Sequence, residues 1–360
     1  MLKSEKLQIV IGGSVIGLIG ALMVFEGNPK NMGFCIACFI RDIAGALGLH
    51  TAKAVQYMRP EIFGIVLGSF AASRIHNEFS ARGGSAVITR FILGIAAMVG
   101  SLMFLGCPLR MVLRLAGGDL NAVMGLIGFV CGTGIGIFFL NHGYSLGRTY
   151  KQPTLAGTSF SILQLVLLAI LLFVPEWLMF TQKGAGPGGS HAALTVSLGA
   201  GLLVGYLAQR IRLCMVGGIR DFILFRDNKL LLGFVAVFIS CLIGNVVLEI
   251  LTGTNYFKLG FSGQSIAHTD GLWNYLGMLL TGLACVLLGG CPLRQLILAG
   301  EGNSDSAVTV FGLTFGAALA HRFGLASSAA GATANGKLAV SLLLAIIILF
   351  AVYNAFIRRK

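Results

Sequence analysis

Nearly uncharged apolar runs alternate along the chain with short polar and basic stretches. A bilayer core takes about 20 apolar residues per helix, and on that measure ten runs read as spanning helices. They are Leu7 to Phe25, Pro60 to Ile75, Phe91 to Leu105, Leu120 to Leu140, Ala156 to Val174, Ala192 to Ala208, Leu230 to Leu251, Leu272 to Gly289, Ser306 to Ala320 and Leu338 to Ile357. The second, third and ninth are the shortest, and nine spans is the alternative. The first run follows Lys3 and Lys6 as a signal peptide would, but it lacks a small-residue cleavage site and reads as a transmembrane helix.

Composition agrees with lipid as the solvent. Only 11% of the 360 residues are charged, against about 25% in soluble domains, and mean hydropathy is +0.88. This excludes an ordinary soluble enzyme. The 51 glycines suit helices that pack closely and break inside the membrane. The formal charge of +13 lies between apolar runs and not along one face, so it reads as membrane topology and not nucleic-acid binding. Placing Arg358, Arg359 and Lys360 in the cytoplasm puts Arg74, Arg82, Arg90, Arg148, Lys151, Arg210, Arg212, Arg226 and Lys229 inside as well. The exception is the segment 26–59, which carries Lys30, Arg41, Lys53 and Arg59 on the outer side. Helical spans rather than barrel strands point to the bacterial inner (cytoplasmic) membrane.

An internal repeat sets the architecture. Gly33 to Asp42 (GFCIACFIRD) aligns with Arg212 to Asp221 (RLCMVGGIRD), which matches Cys35 to Cys214 and each Ile-Arg-Asp to the other. Gly106 to Arg110 and Gly290 to Arg294 are both GCPLR, and Gly128 and Gly132 match Gly312 and Gly316 at the same offset of 184. Each copy holds five spans, an odd number, so the second enters the membrane reversed. The expected fold is all-α: two inverted repeats, residues 1–190 and 191–360, with re-entrant half-helices meeting at the membrane centre in an hourglass.

The chemistry expected of the interior comes from these motifs. Pro108 and Pro292 read as first residues of short half-helices capped by Cys107 and Cys291, placing thiols at positive helix ends where an anion would rest. Gly106 and Gly290 would let the backbone turn and approach a substrate. Arg110 and Arg294 would add positive potential or pair with Asp119 and Glu301. The competing reading, a kinked helix with a thiol as filler, has to hold twice. Arg41, Asp42, Arg220 and Asp221 read first as anchors of re-entrant helix ends near the interface.

Cys35 and Cys38 form a C-x-x-C pair, but Cys38 aligns with Gly217, so a function shared by both halves does not need it. Cys131 and Cys241 read as core filling, and Cys285, six residues before Cys291, invites more attention. The eight cysteines are expected to be mostly free thiols. The histidines at 50, 76, 142, 191, 268 and 321 have no ligand or triad spacing, and there is no phosphate loop. Asp42, Asp119, Asp221 and Glu249 are the carboxylates available for ion coupling.

Inverted halves that each carry a Cys segment ending in Ile-Arg-Asp and then Gly-Cys-Pro-Leu-Arg resemble the YeeE/YedE family of sulfur-compound transporters. The wording GFCIACFIRD resembles the YedE branch associated with selenium metabolism. The resemblance implies a non-enzymatic transporter for a small sulfur- or selenium-containing anion, without metal or cofactor. The anion would pass through a central conduit by hydrogen bonding to Cys35, Cys107, Cys214 and Cys291. The alternative is a membrane thiol oxidoreductase or sulfur/selenium relay that uses Cys35 and Cys38. A soluble cytoplasmic sulfur or selenium carrier, docking on the Arg212 to Lys229 loop, is the partner a third reading requires.

Overall fold

The computed structural model describes residues 2–357, with side chains from Glu5 onward. Arg358, Arg359, Lys360 and the Lys3 side chain, which entered the topology reading, lie outside the described residues. The first seven helices are α1 (Leu2–Phe25), the short α2 (Ile36–Ala46), α3 (Pro60–Ile75), α4 (Val87–Phe104), the short α5 (Pro108–Ala116), α6 (Asn121–Asn141) and α7 (Thr154–Phe173). The next seven are α8 (Leu194–Arg210), the short α9 (Met215–Phe225), α10 (Lys229–Thr252), α11 (Gly271–Leu288), the short α12 (Pro292–Gly300), α13 (Ser304–Arg322) and α14 (Ala334–Val352). The ten long helices occupy the ten apolar runs. The chain is a polytopic helical membrane protein; among the described residues eight stretches are long and apolar enough to cross a bilayer, fewer than the ten expected because α3 and α13 fall short. A two-residue antiparallel strand pair joins Arg82–Gly83 to Tyr150–Lys151.

Helix packing follows a regular exchange. Helix α1 packs on α10 as α8 packs on α3, α4 on α13 as α11 on α6, and α5 on α10 as α12 on α3. Small residues make these crossings close. A methyl group on Gly128 would run into the Tyr275 carbonyl, and one on Gly132 into that of Leu279, so α6 and α11 run parallel, backbone against backbone. Gly201 and Gly205 face Glu61 and Ile65 in the same way, so α3 and α8 are parallel.

Helices in corresponding places run in opposite directions. Gly12 of α1 faces Ile211, just past the end of α8, whereas Gly27, past the end of α1, faces His191, just before α8 begins. Helices α4 and α11 also cross antiparallel, because Gly277 meets Met103 while the Thr281 hydroxyl approaches the Ala97 carbonyl.

Two ends result. At one, Lys229 pairs with Glu5 and Arg210 with Glu78, and Arg82 lies beside Asn303. At the other, Lys30 donates to the Asn255 carbonyl and the Leu120 N–H to that of Gly260. The outer faces of α7 and α14 expose Leu165, Phe173, Leu342 and Leu349, while Glu61, Arg110, Arg114 and Asp119 are buried. Apolar outside and polar inside is the distribution lipid selects. The basic exception at 26–59 loses half its weight here, since Arg41 and Arg59 are buried in the bundle and do not face a membrane surface.

Candidate functional site

The four short helices all begin on a cysteine. Cys35 and Cys214 sit in extended conformation as caps of α2 and α9, and their sulfurs accept the N–H of Cys38 at 3.4 Å and of Gly217 at 3.3 Å. Cys107 and Cys291 are extended because a proline follows each, and Pro108 and Pro292 open α5 and α12. The sharp turn before each proline is made by left-handed Leu105 (φ 61°) and Gly289 (φ 82°), not by Gly106 and Gly290. Space at those two glycines is taken by arginine: a Cβ on Gly106 would lie 3.0 Å from Arg110 Cδ, and one on Gly290 3.1 Å from Arg294 Cγ. The expectation of close substrate approach at Gly106 and Gly290 is corrected accordingly, because each arginine folds back over its own turn.

Tertiary structure pairs the caps. The Cys35 thiol neighbours that of Cys107, and the Cys214 thiol that of Cys291. All four are buried, and all eight cysteines are free thiols. The N–H groups of Ala37 and Arg110 face the Cys107 thiol, so the starts of α2 and α5 converge on one point. Cys38 joins the first pair, its sulfur 3.5 Å from Arg110 Nη1, and Cys285 lies near Cys214. Cys241 is buried beside Asn245, and Cys131 is half-buried near Tyr275, away from both pairs.

The charged residues depart from the symmetry of the motifs. Arg294 pairs with Glu301 at 3.2 Å as expected, but Arg110 does not reach Asp119, which is held instead by Arg114 at 2.6 Å. Helix α5 directs Arg114 one turn further along the same face, nearer the loop that carries Asp119. Arg220–Asp221 is a partly exposed pair, consistent with an end anchor. Arg41–Asp42 is not at an interface: Asp42 is fully buried and accepts from Arg41 at 2.7 Å and from Arg59 at 2.8 Å. Arg59 also donates to the Pro187 carbonyl at 2.8 Å and stacks over Phe39 and Tyr57. Asp42, Asp119 and Asp221 are therefore committed to arginines, and Glu249 accepts the N–H groups of Tyr256 and Phe257.

Three buried residues carried no usable sequence signal. Arg59 and Glu61 flank Pro60 at the start of α3, where Arg59 reads only as a basic residue of the outer side. In the fold Glu61 instead accepts from Asn28 at 3.0 Å, and Asn28 in turn donates to the Gly33 carbonyl just before Cys35. Arg114 could have been noticed as the residue one turn after Arg110, but nothing nearby in sequence marks it as buried.

A bundle that is apolar outside and carries thiols, arginines and carboxylates inside is that of a multi-pass membrane protein with an internal polar site. Residues 210–360 match the family model described as Sulphur transport. Over 111 residues the chain is 30% identical to the thiosulfate transporter TsuA of Escherichia coli (strain K12), a stretch covering 31% of this chain and 29% of that relative. Both findings are likenesses to sulfur-transport proteins over less than half of this chain, and the chain spans less than a third of the length of the relative it matches.

Proposed function

We propose that the protein imports a small sulfur-containing anion of the thiosulfate type through a conduit lined by Cys35, Cys107, Cys214 and Cys291. The observation that carries this reading is the gathering of the four cap thiols into two buried pairs, one in each half, at the starts of converging short helices. A neutral thiol is a weak donor with a polarizable sulfur, suited to a soft chalcogen. Helix starts supply free N–H groups and positive potential, replacing hydration that an anion loses on leaving water. No covalent step is needed. The anion moves from one thiol pair to the other by exchanging hydrogen bonds. The same chemistry admits a selenium anion.

The architecture proposed with it is a pair of inverted repeats, 1–190 and 191–360, with the Glu5 and Arg210 end in the cytoplasm of a bacterial inner membrane. Helices α2 and α5 then rise from the first thiol pair toward the outside, and α9 and α12 run from the second toward the inside. A soluble sulfur carrier would meet the inner end at the recess of about 420 Å³ lined by Arg210, Arg212, Asp227 and Lys229. Cys38, packed against Cys35, supports a second reading in which this thiol pair exchanges sulfur with the substrate.

Uptake of thiosulfate and of selenium oxyanions into proteoliposomes tests the proposal. Accumulation in wild type that disappears in both Cys107→Ala and Cys291→Ala is the expected result. Undiminished uptake in both variants removes the conduit, and loss of activity in Cys38→Ser together with a trapped persulfide favours sulfur exchange.

A further inference from the structure

Among the described residues four arginines are buried almost completely: Arg41, Arg59, Arg110 and Arg114. Three have a carboxylate, since Arg41 and Arg59 share Asp42 and Arg114 holds Asp119. Among the described residues, Arg110 has none within ion-pair distance. Its Nε donates to the Asn31 carbonyl at 3.0 Å, Nη2 to that of Ile266 at 3.1 Å, and Nη1 to the Leu105 carbonyl and to Cys38 Sγ at 3.5 Å. These partners satisfy its hydrogen bonds and fix its plane, but the carbonyls bring no formal negative charge. A desolvated cation without a counter-ion is costly to keep.

The second half handles the same position differently. Arg294 occupies the place of Arg110 and is neutralised by Glu301, and where the first half would need that glutamate it has Gly117. One thiol site therefore carries a net positive charge at its edge and the other does not. Asn31, whose carbonyl holds Arg110, also lines a recess of about 110 Å³ together with Lys30 and Lys258, so the charged site lies behind a basic mouth.

We propose that Arg110 is the charge-selecting residue of the Cys35/Cys38/Cys107 site and that its missing counter-ion is the transported dianion. The Cys214/Cys291 site, with Arg294 already neutralised, holds the same anion more weakly and lets it leave. The two halves share donors but differ in charge, which gives a structural duplicate a loading end and a releasing end. This inference rests on the transport reading for the identity of the ligand.

The test uses the full-length protein purified in detergent and the thermal midpoint in sodium thiosulfate against sodium chloride of equal ionic strength. Thiosulfate is expected to raise the midpoint of wild type and Arg294→Gln and to leave that of Arg110→Gln unmoved. In proteoliposomes the KM of Arg110→Gln is expected to rise at least about tenfold, and that of Arg110→Lys, which keeps the charge without the planar fork, by a smaller factor. Equal thiosulfate stabilisation of wild type and Arg110→Gln overturns the proposal. So does its absence in wild type. If Arg110→Gln does not fold, Arg110→Lys against Arg294→Lys decides, and equal KM changes overturn the proposal. Intact uptake in both Cys107→Ala and Cys291→Ala defeats the conduit separately, with Arg110-dependent stabilisation unaffected.

Discussion

The Thr281 hydroxyl lies 3.5 Å from the carbonyl of Ala97, the residue that holds the same place in the chain 184 positions earlier. In the proposed inverted arrangement a residue touches its own counterpart only on the pseudo-symmetry axis, which this contact would mark between α4 and α11. Gly100 and Gly277 pack beside it. The broken turns that lead to Cys107 and Cys291 follow directly from these two helices, so their crossing also fixes the thiol caps.

Close crossings of this kind tolerate no bulk. Gly128→Leu is expected to destabilise the protein by about 1–3 kcal/mol or more, because the new side chain meets the Tyr275 backbone rather than a movable side chain. Gly199→Leu, where a Cβ meets nothing, is the control. Thermal unfolding in detergent compares them, and equal midpoints would contradict the packing described.

The buried trio Arg41–Asp42–Arg59 is expected to be structural. Asp42→Asn leaves two buried guanidinium groups without their shared carboxylate and should cost about 3–5 kcal/mol, the usual range for breaking a buried pair. Asp221→Asn, at the matching but partly exposed position, should cost less than about 1 kcal/mol. Expression yield and midpoint of the two variants provide the comparison, and similar losses would show that burial does not separate them.

At the basic end, the Gln209 amide and then the Arg210 guanidinium hold the Glu78 carboxyl below its ordinary value of 4.5. A carboxyl depressed in the folded state adds stability above its unfolded value and loses that addition as pH falls through the depressed one. Acidification below about pH 4.5 should therefore lower the midpoint of wild type, with Glu78→Gln showing a shallower decline over that window. Solvent screening at this half-exposed pair keeps the effect small. Parallel pH profiles of both proteins would reject the assignment.

Sidedness follows from which residues share an end. Single-cysteine reporters at Lys258 and at Asp227, in a background without the natural cysteines, are expected to react with a membrane-impermeant maleimide from opposite sides. Lys258→Cys should label in intact cells and Asp227→Cys only after permeabilisation. Labelling of both from one side would rule out the proposed inversion.

Much of this arrangement was legible in the residues. Apolar runs located all ten long helices, and eight stretches, α3 and α13 not among them, have the length and apolarity to cross a bilayer, a property set by membrane thickness that needs no partner to specify it. The two GCPLR turns predicted short helices opening on Pro108 and Pro292, because proline fixes its own φ and forbids a preceding helical residue, both local effects. The IRD and GCPLR copies likewise pointed to a duplication from the residues alone. What only the tertiary structure decided are relations between residues far apart in the chain. That Cys35 meets Cys107, that Arg59 and not a lipid headgroup completes Asp42, and that Arg114 takes the aspartate expected for Arg110 all depend on where separate helices cross. Local propensity acts over a few residues, whereas a buried charge is settled by whichever opposite charge the packing brings within about 4 Å, and a sequence read along its length carries no measure of that distance.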